Sequence, residues 1–240
     1  MEIAGRWSLQ IRACPLQDRC ISDSVQEQIN HAYVAALRGP VRLRDYALHV
    51  DGGRVWSPLT TNQSESTPAE SPHQHHPPEV ALSEDIHIGN CWLSLHMPSQ
   101  LAVVLDRLIY PTNVTIDHIP LEIATDIGQA PRRILLWGVV EGAVNHGRHH
   151  DMQQACQQPC PDAAARSGPS VRSDTDTYAL LANFTYDIYA ALHIQTFQID
   201  PRIVESRMYF GIFVLEILDN WGSNSICLYR LRIHGSDAPL

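Results

Sequence analysis

Apolar and polar positions alternate with two different periods along the chain. Ile21, Val25, Ile29, Tyr33 and Leu37 recur every four residues, with Ala32 and Ala36 beside them. This spacing lays one apolar stripe along a short N-terminal helix. Asp23 or Ser24 can cap its start, and Glu27 follows Ser24 at capping-box spacing. Gly39-Pro40 stops it. A helix of this length is marginal alone in water, so its stripe must pack on the domain or on copies of itself. Beyond Gly39 the pattern shortens to strands, predicted at residues 101–105, 114–119, 134–140, 178–186, 194–199, 208–218 and 226–234. In the last, Cys227, Tyr229, Leu231 and Ile233 share one face, predicted buried, while Arg230, Arg232 and His234 lie on the other. The turn-rich residues 219–224 join the last two strands as a hairpin. No strand–helix alternation appears, which disfavours a parallel α/β sheet and predicts an all-β, antiparallel β-sandwich.

Two segments interrupt this pattern. Residues 61–79 are rich in Ser, Thr, Pro, Glu and His and have no apolar period. Residues 145–176 are mostly small or polar and contain Cys156-Gln-Gln-Pro-Cys160. Both read as loop insertions. The chain then divides into a leader with the amphipathic helix, 1–44, and a β-sandwich domain, 45–240.

Composition narrows the function. Apolar residues make up 44% of the 240 and charged residues 18%, enough apolar content for a core. The net charge is -9, and all 17 basic residues are Arg, so no electrostatic footprint for nucleic acid exists. The longest apolar run, 208–218, is interrupted by Glu216 and reads as a buried strand rather than a membrane span. The opening Met-Glu-Ile-Ala-Gly-Arg does not read as a signal peptide. Membrane association is therefore expected only through a segment not present in this chain. Three N-x-S/T sequons, at Asn62, Asn113 and Asn183, matter only if the chain is lumenal or secreted.

Candidate chemistry is sparse. His73, His75 and His76 fall in the first insertion, and His146, His149 and His150 at the start of the second. Polar loops do not hold ligands at fixed distances, so no metal site is expected. Cys156 and Cys160 read as a local disulfide or two free thiols. No P-loop, nucleophile elbow, dinucleotide fingerprint or HExxH sequence occurs, and the protein is expected not to be an enzyme. Asp85 with His87 and Asp117 with His118 are conceivable acid–base pairs, but neighbouring side chains on a strand point to opposite faces. Cys91 and Cys227 stand in strongly patterned contexts. They could be linked in an oxidising compartment or remain two buried thiols.

Taken together, the motifs resemble a SUN domain. They are Asp45-Tyr46-Ala47-Leu48, Ile86-His87-Ile88-Gly89-Asn90-Cys91-Trp92, Asp117-His118-Ile119-Pro120, Ala130-Pro131-Arg132, Phe184-Thr185-Tyr186-Asp187 and Ile194-Gln195-Thr196-Phe197. Asn220-Trp221-Gly222 and the run from Cys227-Leu228-Tyr229-Arg230 to His234-Gly235 complete the set. The resemblance implies a galactose-binding-like jelly roll that forms a homotrimer through a preceding helix. It implies a non-enzymatic adaptor of the LINC type, lumenal at the inner nuclear membrane, that binds the C-terminal tail of a KASH protein and bridges nucleus and cytoskeleton. It further implies a Cys91–Cys227 disulfide and a monovalent cation, K+ or Na+, held by backbone carbonyls of Val80, Ser83, Asp85, Asn90 and Tyr229. His118, Gln129 and Tyr229 fall at the pocket for the tail's end, with His118 and Tyr229 expected to donate hydrogen bonds to its carboxylate. Gln129 stands where the family has a serine, and Thr60 near where it has a partner-bonding cysteine. The segment 61–79 takes the place of the lid hairpin without its alternation. These departures leave a second reading, a lumenal glycan- or client-protein-binding sandwich without KASH binding. A hydrolase using His118 is a third.

Overall fold

The computed structural model describes residues 27–28, 43–61, 76–155 and 166–239. The chain separates into two units, Met1–Arg38 and Gly39–Leu240. Of the first, Glu27 and Gln28 are described and are helical. The rest of the predicted helix, the segment 62–75, and Cys156 and Cys160 lie outside the described residues.

The second unit is built on antiparallel strands: β1 (Arg54–Val55), β2 (Trp92–Ser94), β3 (Ser99–Asp117), β4 (Arg133–Val140), β5 (Thr177–Thr185), β6 (Ile194–Gln198), β7 (Phe210–Ile217), β8 (Ile226–Leu228) and β9 (Arg230–Asp237). Helices α1 (Ala143–Ala155) and α2 (Pro201–Ser206) lie between them. A seven-stranded sheet runs β1-β3-β7-β4-β5, with β6 and β9 also pairing with β3, and β2 pairs with β8. The runs predicted at 101–105 and 114–119 are one 19-residue strand, β3. Its first half pairs with β1 and β7. The ladder then shifts between Val104 and Ile109, where Asp106 and Arg107 face solvent. Its second half pairs with β6 and β9. Such an irregularity lets one strand serve two packed layers, and Leu101, Val103, Val114 and Ile116 from the two halves meet in one core.

The sheet is apolar on both faces. Ile134, Leu136, Phe213 and Leu215 enter the main core. Their neighbours Leu135, Trp137 and Val214 join Ala102, Leu59 and Tyr178 in a second cluster. This explains why the sequence of β4 is a nearly continuous apolar run rather than an alternating one. Two polar residues on the second face pin the chain that covers it. Fully buried Glu216 accepts hydrogen bonds from Trp137 Nε1 at 3.1 Å, Arg166 Nη2 at 2.6 Å and Ser170 N at 3.1 Å. Gln100 donates to the carbonyls of Leu59 and Val171, both at 2.7 Å, and accepts from Val171 N at 3.0 Å. Residues 166–171 are therefore fastened to the sheet by a satisfied buried network.

Two expectations need correction. The segment 145–176, read as a loop, begins inside helix α1, which covers Ala143–Ala155. This helix has few apolar residues. It is anchored by buried Asn145, whose side chain donates to Tyr209 O at 2.5 Å and accepts from Tyr209 N at 3.3 Å. The polar face predicted for the last strand is also not solvent-exposed: Arg230 is 7% and His234 1% accessible. Its partners come from elsewhere in the chain. Arg230 Nη2 donates to Asp45 at 3.0 Å, and Arg232 Nε donates to both oxygens of Asp117 at 3.0–3.1 Å. His234 Nδ1 donates to Arg44 O at 2.8 Å, so its Nε2 accepts from the Thr115 hydroxyl at 2.7 Å.

Removing the carboxylate with Glu216→Ala leaves Trp137 and Ser170 without their acceptor and is expected to destabilise the fold by about 3 kcal/mol or more. Arg166→Ala leaves the buried carboxylate without its counter-charge but with the Trp137 and Ser170 donors still in place, and is expected to cost about 2 kcal/mol, less than removal of the carboxylate itself. Denaturant midpoints compare the two, and equal losses would contradict the network. Burial also pulls the titration of His118, His149 and His234 below the usual imidazole value, to about 4 for His118. The unfolded chain then binds protons that the folded one refuses, so stability is expected to fall as pH drops from about 6.5 towards 4. Thermal midpoints across that window test this.

Candidate functional site

The end of β3 delivers His118 into the interior. The Arg232 side chain engages Asp117, and the His118 N–H donates to His193 O at 3.1 Å, fixing the backbone on both sides of the turn. Asp117 and His118 therefore do not form an acid–base pair. The imidazole is 2% exposed. Its Nδ1 lies 3.0 Å from the carbonyl oxygen of Ile119. A carbonyl only accepts, so Nδ1 carries the proton and Nε2 presents a lone pair. That Nε2 is buried and has no hydrogen-bond partner among the described residues. Burial, above all, depresses the His118 pKa to about 4, with nearby His193 acting in the same direction and the Ile119 carbonyl opposing it. The ring is neutral near pH 7.

Two tyrosines frame it. The Tyr229 ring stands edge-on to His118 at 4.8 Å between centroids, and the Tyr186 ring is tilted at 6.0 Å. The Tyr186 hydroxyl donates to His193 O at 2.8 Å. Tyr229 occupies the one-residue break between β8 and β9. Its hydroxyl oxygen accepts from Gly89 N at 3.1 Å, which leaves the hydroxyl hydrogen available to a ligand. Burial raises its pKa, so it stays a phenol.

That contact ties the His118–Tyr229 junction to the loop before β2. Gly89 adopts a φ of +84°, a conformation that favours glycine. Asn90 N donates to His87 O at 2.9 Å and Asn90 Nδ2 to Asp85 O at 2.9 Å, while Asp85 N donates to Ser83 Oγ at 3.2 Å. Val80 O accepts from Ser83 N at 3.1 Å. Directly after the loop, Cys91 is disulfide-bonded to Cys227, with Cα atoms 5.5 Å apart. Both cysteines pack with Ile119 and Tyr229 in one small buried cluster. The exposed Asp85 and His87 side chains contact each other. Among the described residues no group of three or more His, Cys, Asp or Glu side chains could hold a metal ion.

The structure thus brings His118, Tyr229, Cys91, Cys227 and the 83–90 loop together. Gln129 is turned to a different partner: its Nε2 donates to Ser225 Oγ at 2.9 Å, in the connection that leads to β8. The expectation that neutral His118 donates to a carboxylate is corrected. With Nδ1–H committed to Ile119, Nε2 donates only after taking up a proton. Residue types alone give Tyr186 no role, although it lies in the motif Phe184-Thr185-Tyr186-Asp187. Its buried hydroxyl and ring are part of the wall around His118.

Comparisons with known proteins identify the family. The family model described as Sad1 / UNC-like C-terminal matches residues 71–154 and 169–237. Mouse SUN domain-containing protein 3 is 27% identical over 95% of this chain and 65% of its own length. Mouse SUN domain-containing protein 2 is 29% identical over 93% of this chain and 28% of its own length. The Drosophila melanogaster Klaroid protein is 25% identical over 80% of this chain and 18% of its own length. The chain therefore spans between about a fifth and two thirds of these relatives. Among solved structures, the family 32 carbohydrate-binding module of Streptococcus pneumoniae EndoD covers 80% of this chain and 99% of its own, at 11% identity and a TM-score of 0.46. An allantoicase covers 86% and 53%, at 9% identity and a TM-score of 0.46. With the family model matching more than half of the residues, and with the disulfide, loop and pocket residues drawn together by the fold, the chain belongs to the SUN domain family, the Sad1/UNC-like C-terminal family.

Proposed function

We propose that this chain is a non-enzymatic adaptor domain of the nuclear envelope that forms a homotrimer and holds the C-terminal tail of a KASH protein from the lumenal side. The observation that carries this reading is the buried junction of His118 and Tyr229. It offers a ring nitrogen without a partner among the described residues and a phenol hydrogen not used in the contact with Gly89, braced by the loop and a disulfide. A small pocket with a few fixed polar atoms suits the end of an extended peptide. A disulfide beside it suits an oxidising compartment.

In this reading Tyr229 donates to the terminal carboxylate. His118 either accepts an N–H of the tail or takes up a proton and becomes a second donor to the carboxylate. The carbonyls of Val80, Ser83, Asp85, Asn90 and Tyr229 hold K+ or Na+ and stiffen the loop. Val80 O and Asp85 O each accept one hydrogen bond and keep a second lone pair, which fits that role. Gln129, held by Ser225, favours the competing reading of a glycan- or client-protein-binding sandwich, since it leaves a family pocket position engaged elsewhere. A glycan array and a KASH-tail binding assay separate the two.

A peptide ending in a free carboxylate is expected to bind the full chain, and its C-terminal amide to bind at least tenfold more weakly in calorimetry. Equal binding of the two would overturn the pocket assignment. Tyr229→Phe, which removes the donor and keeps the ring, is expected to weaken the free-acid peptide by roughly tenfold or more and to leave the amide unchanged. A His118 that protonates onto the carboxylate makes affinity rise as pH is lowered from 7.5 to 5.5, because the bound state takes up a proton. That slope is expected to vanish in His118→Gln. A flat profile in the parent chain instead places an N–H of the tail on Nε2.

A further inference from the structure

The fold treats its two described sequons in opposite ways. Asn113-Val114-Thr115 lies inside β3, with a neighbouring strand on each side: Asn113 pairs with Gln198 of β6 and His234 of β9. The Thr115 hydroxyl is fully buried and bonded to Thr196 Oγ1 at 2.8 Å and His234 Nε2 at 2.7 Å. Asn113 shares the face of Thr115 and is itself half-buried, so a branched sugar there would crowd the packing around that hydroxyl. Asn183-Phe184-Thr185 lies on β5, the last strand of the β1-β3-β7-β4-β5 path, paired there with β4. Side chains alternate along a strand. Phe184 turns to one face and stacks on Phe197 at 4.1 Å between centroids. Asn183 and Thr185 are both exposed, and no side-chain hydrogen bond ties the Asn183 amide among the described residues. The residue that must react and the hydroxyl residue of its triplet are thus presented together on an outer strand, with the aromatic residue between them fixing their direction.

We infer that Asn183 is the acceptor of an N-linked glycan and that Asn113 is unmodified in the folded protein. This rests on the lumenal location proposed above. The donor class is a lipid-diphosphate-linked oligosaccharide. The Asn183 amide nitrogen bonds to C1 of the first sugar and the C1–O bond to the diphosphate breaks. The lipid diphosphate leaves with that electron pair, and the amide proton passes to base.

The test separates acceptor competence from location. The full chain, carried by an appended cleavable secretory signal, is translated into endoplasmic-reticulum microsomes. The soluble folded fraction is treated with peptide N-glycosidase, which converts each glycan-bearing asparagine to aspartate, and is mapped by mass spectrometry. Conversion is expected at position 183 and absent at 113. The glycan at 183 is expected to be lost in both Asn183→Gln and Thr185→Ala and kept in Asn113→Gln. No conversion at 183, or conversion at 113 in the folded fraction, overturns the inference. A site modified in microsomes but bare on the chain recovered from its own cells would instead overturn the lumenal reading and leave the acceptor assignment standing.

Discussion

One strand carries the constraint on which the rest of this molecule depends. β3 hydrogen-bonds to β1 and β7 along its first half and to β6 and β9 along its second. Its side chains must therefore satisfy two layers in a single register, and a one-residue slip would turn every buried position outward. The ladder irregularity at Val104–Ile109 absorbs the change of direction without ending the strand. Because β3 ends at Asp117, the same register sets where His118 enters the interior and how close it comes to Tyr229. The buried His118–Tyr229 junction is thus a consequence of how the central strand is anchored.

Buried charge reinforces that anchoring. Asp45 with Arg230, Asp117 with Arg232, and Glu216 with Arg166 each join segments far apart in the chain. Taking such groups out of water costs several kcal/mol per ion, and the pairing does little more than offset it. Their value lies in geometry: a misregistered β9 or a misplaced 166–171 segment would leave a bare charge in a dry interior. His234, bonded to Arg44 O and Thr115, acts in the same sense without charge.

The sequence made the strands legible because their apolar runs are short and bounded by turn residues. It also made the pairing of Cys91 with Cys227 legible, through the ordered motifs around them. It concealed what depends on partners distant in sequence. The Arg230 and His234 face looked solvent-exposed because Asp45, Arg44 and Thr115 are not neighbours in the chain. Helix α1 was hidden because its anchors are Asn145 and His149 rather than an apolar stripe. The proton position on His118 could not be read from residue types, since it depends on which way the Ile119 carbonyl points.

The bond between Cys91 and Cys227 has a mechanical consequence. Tyr229 follows Leu228, the last residue of β8, whose three-residue ladder with β2 would yield readily if tugged. A pull delivered to an occupant of the pocket would reach that ladder first. The covalent bridge lies two residues before Tyr229 and joins β8 to Cys91, the residue just before β2. It takes the strain in place of the backbone hydrogen bonds and passes it into a chain segment 136 residues away in sequence. In the proposed adaptor, reducing this bond would weaken the grip under tension far more than it weakens binding at rest.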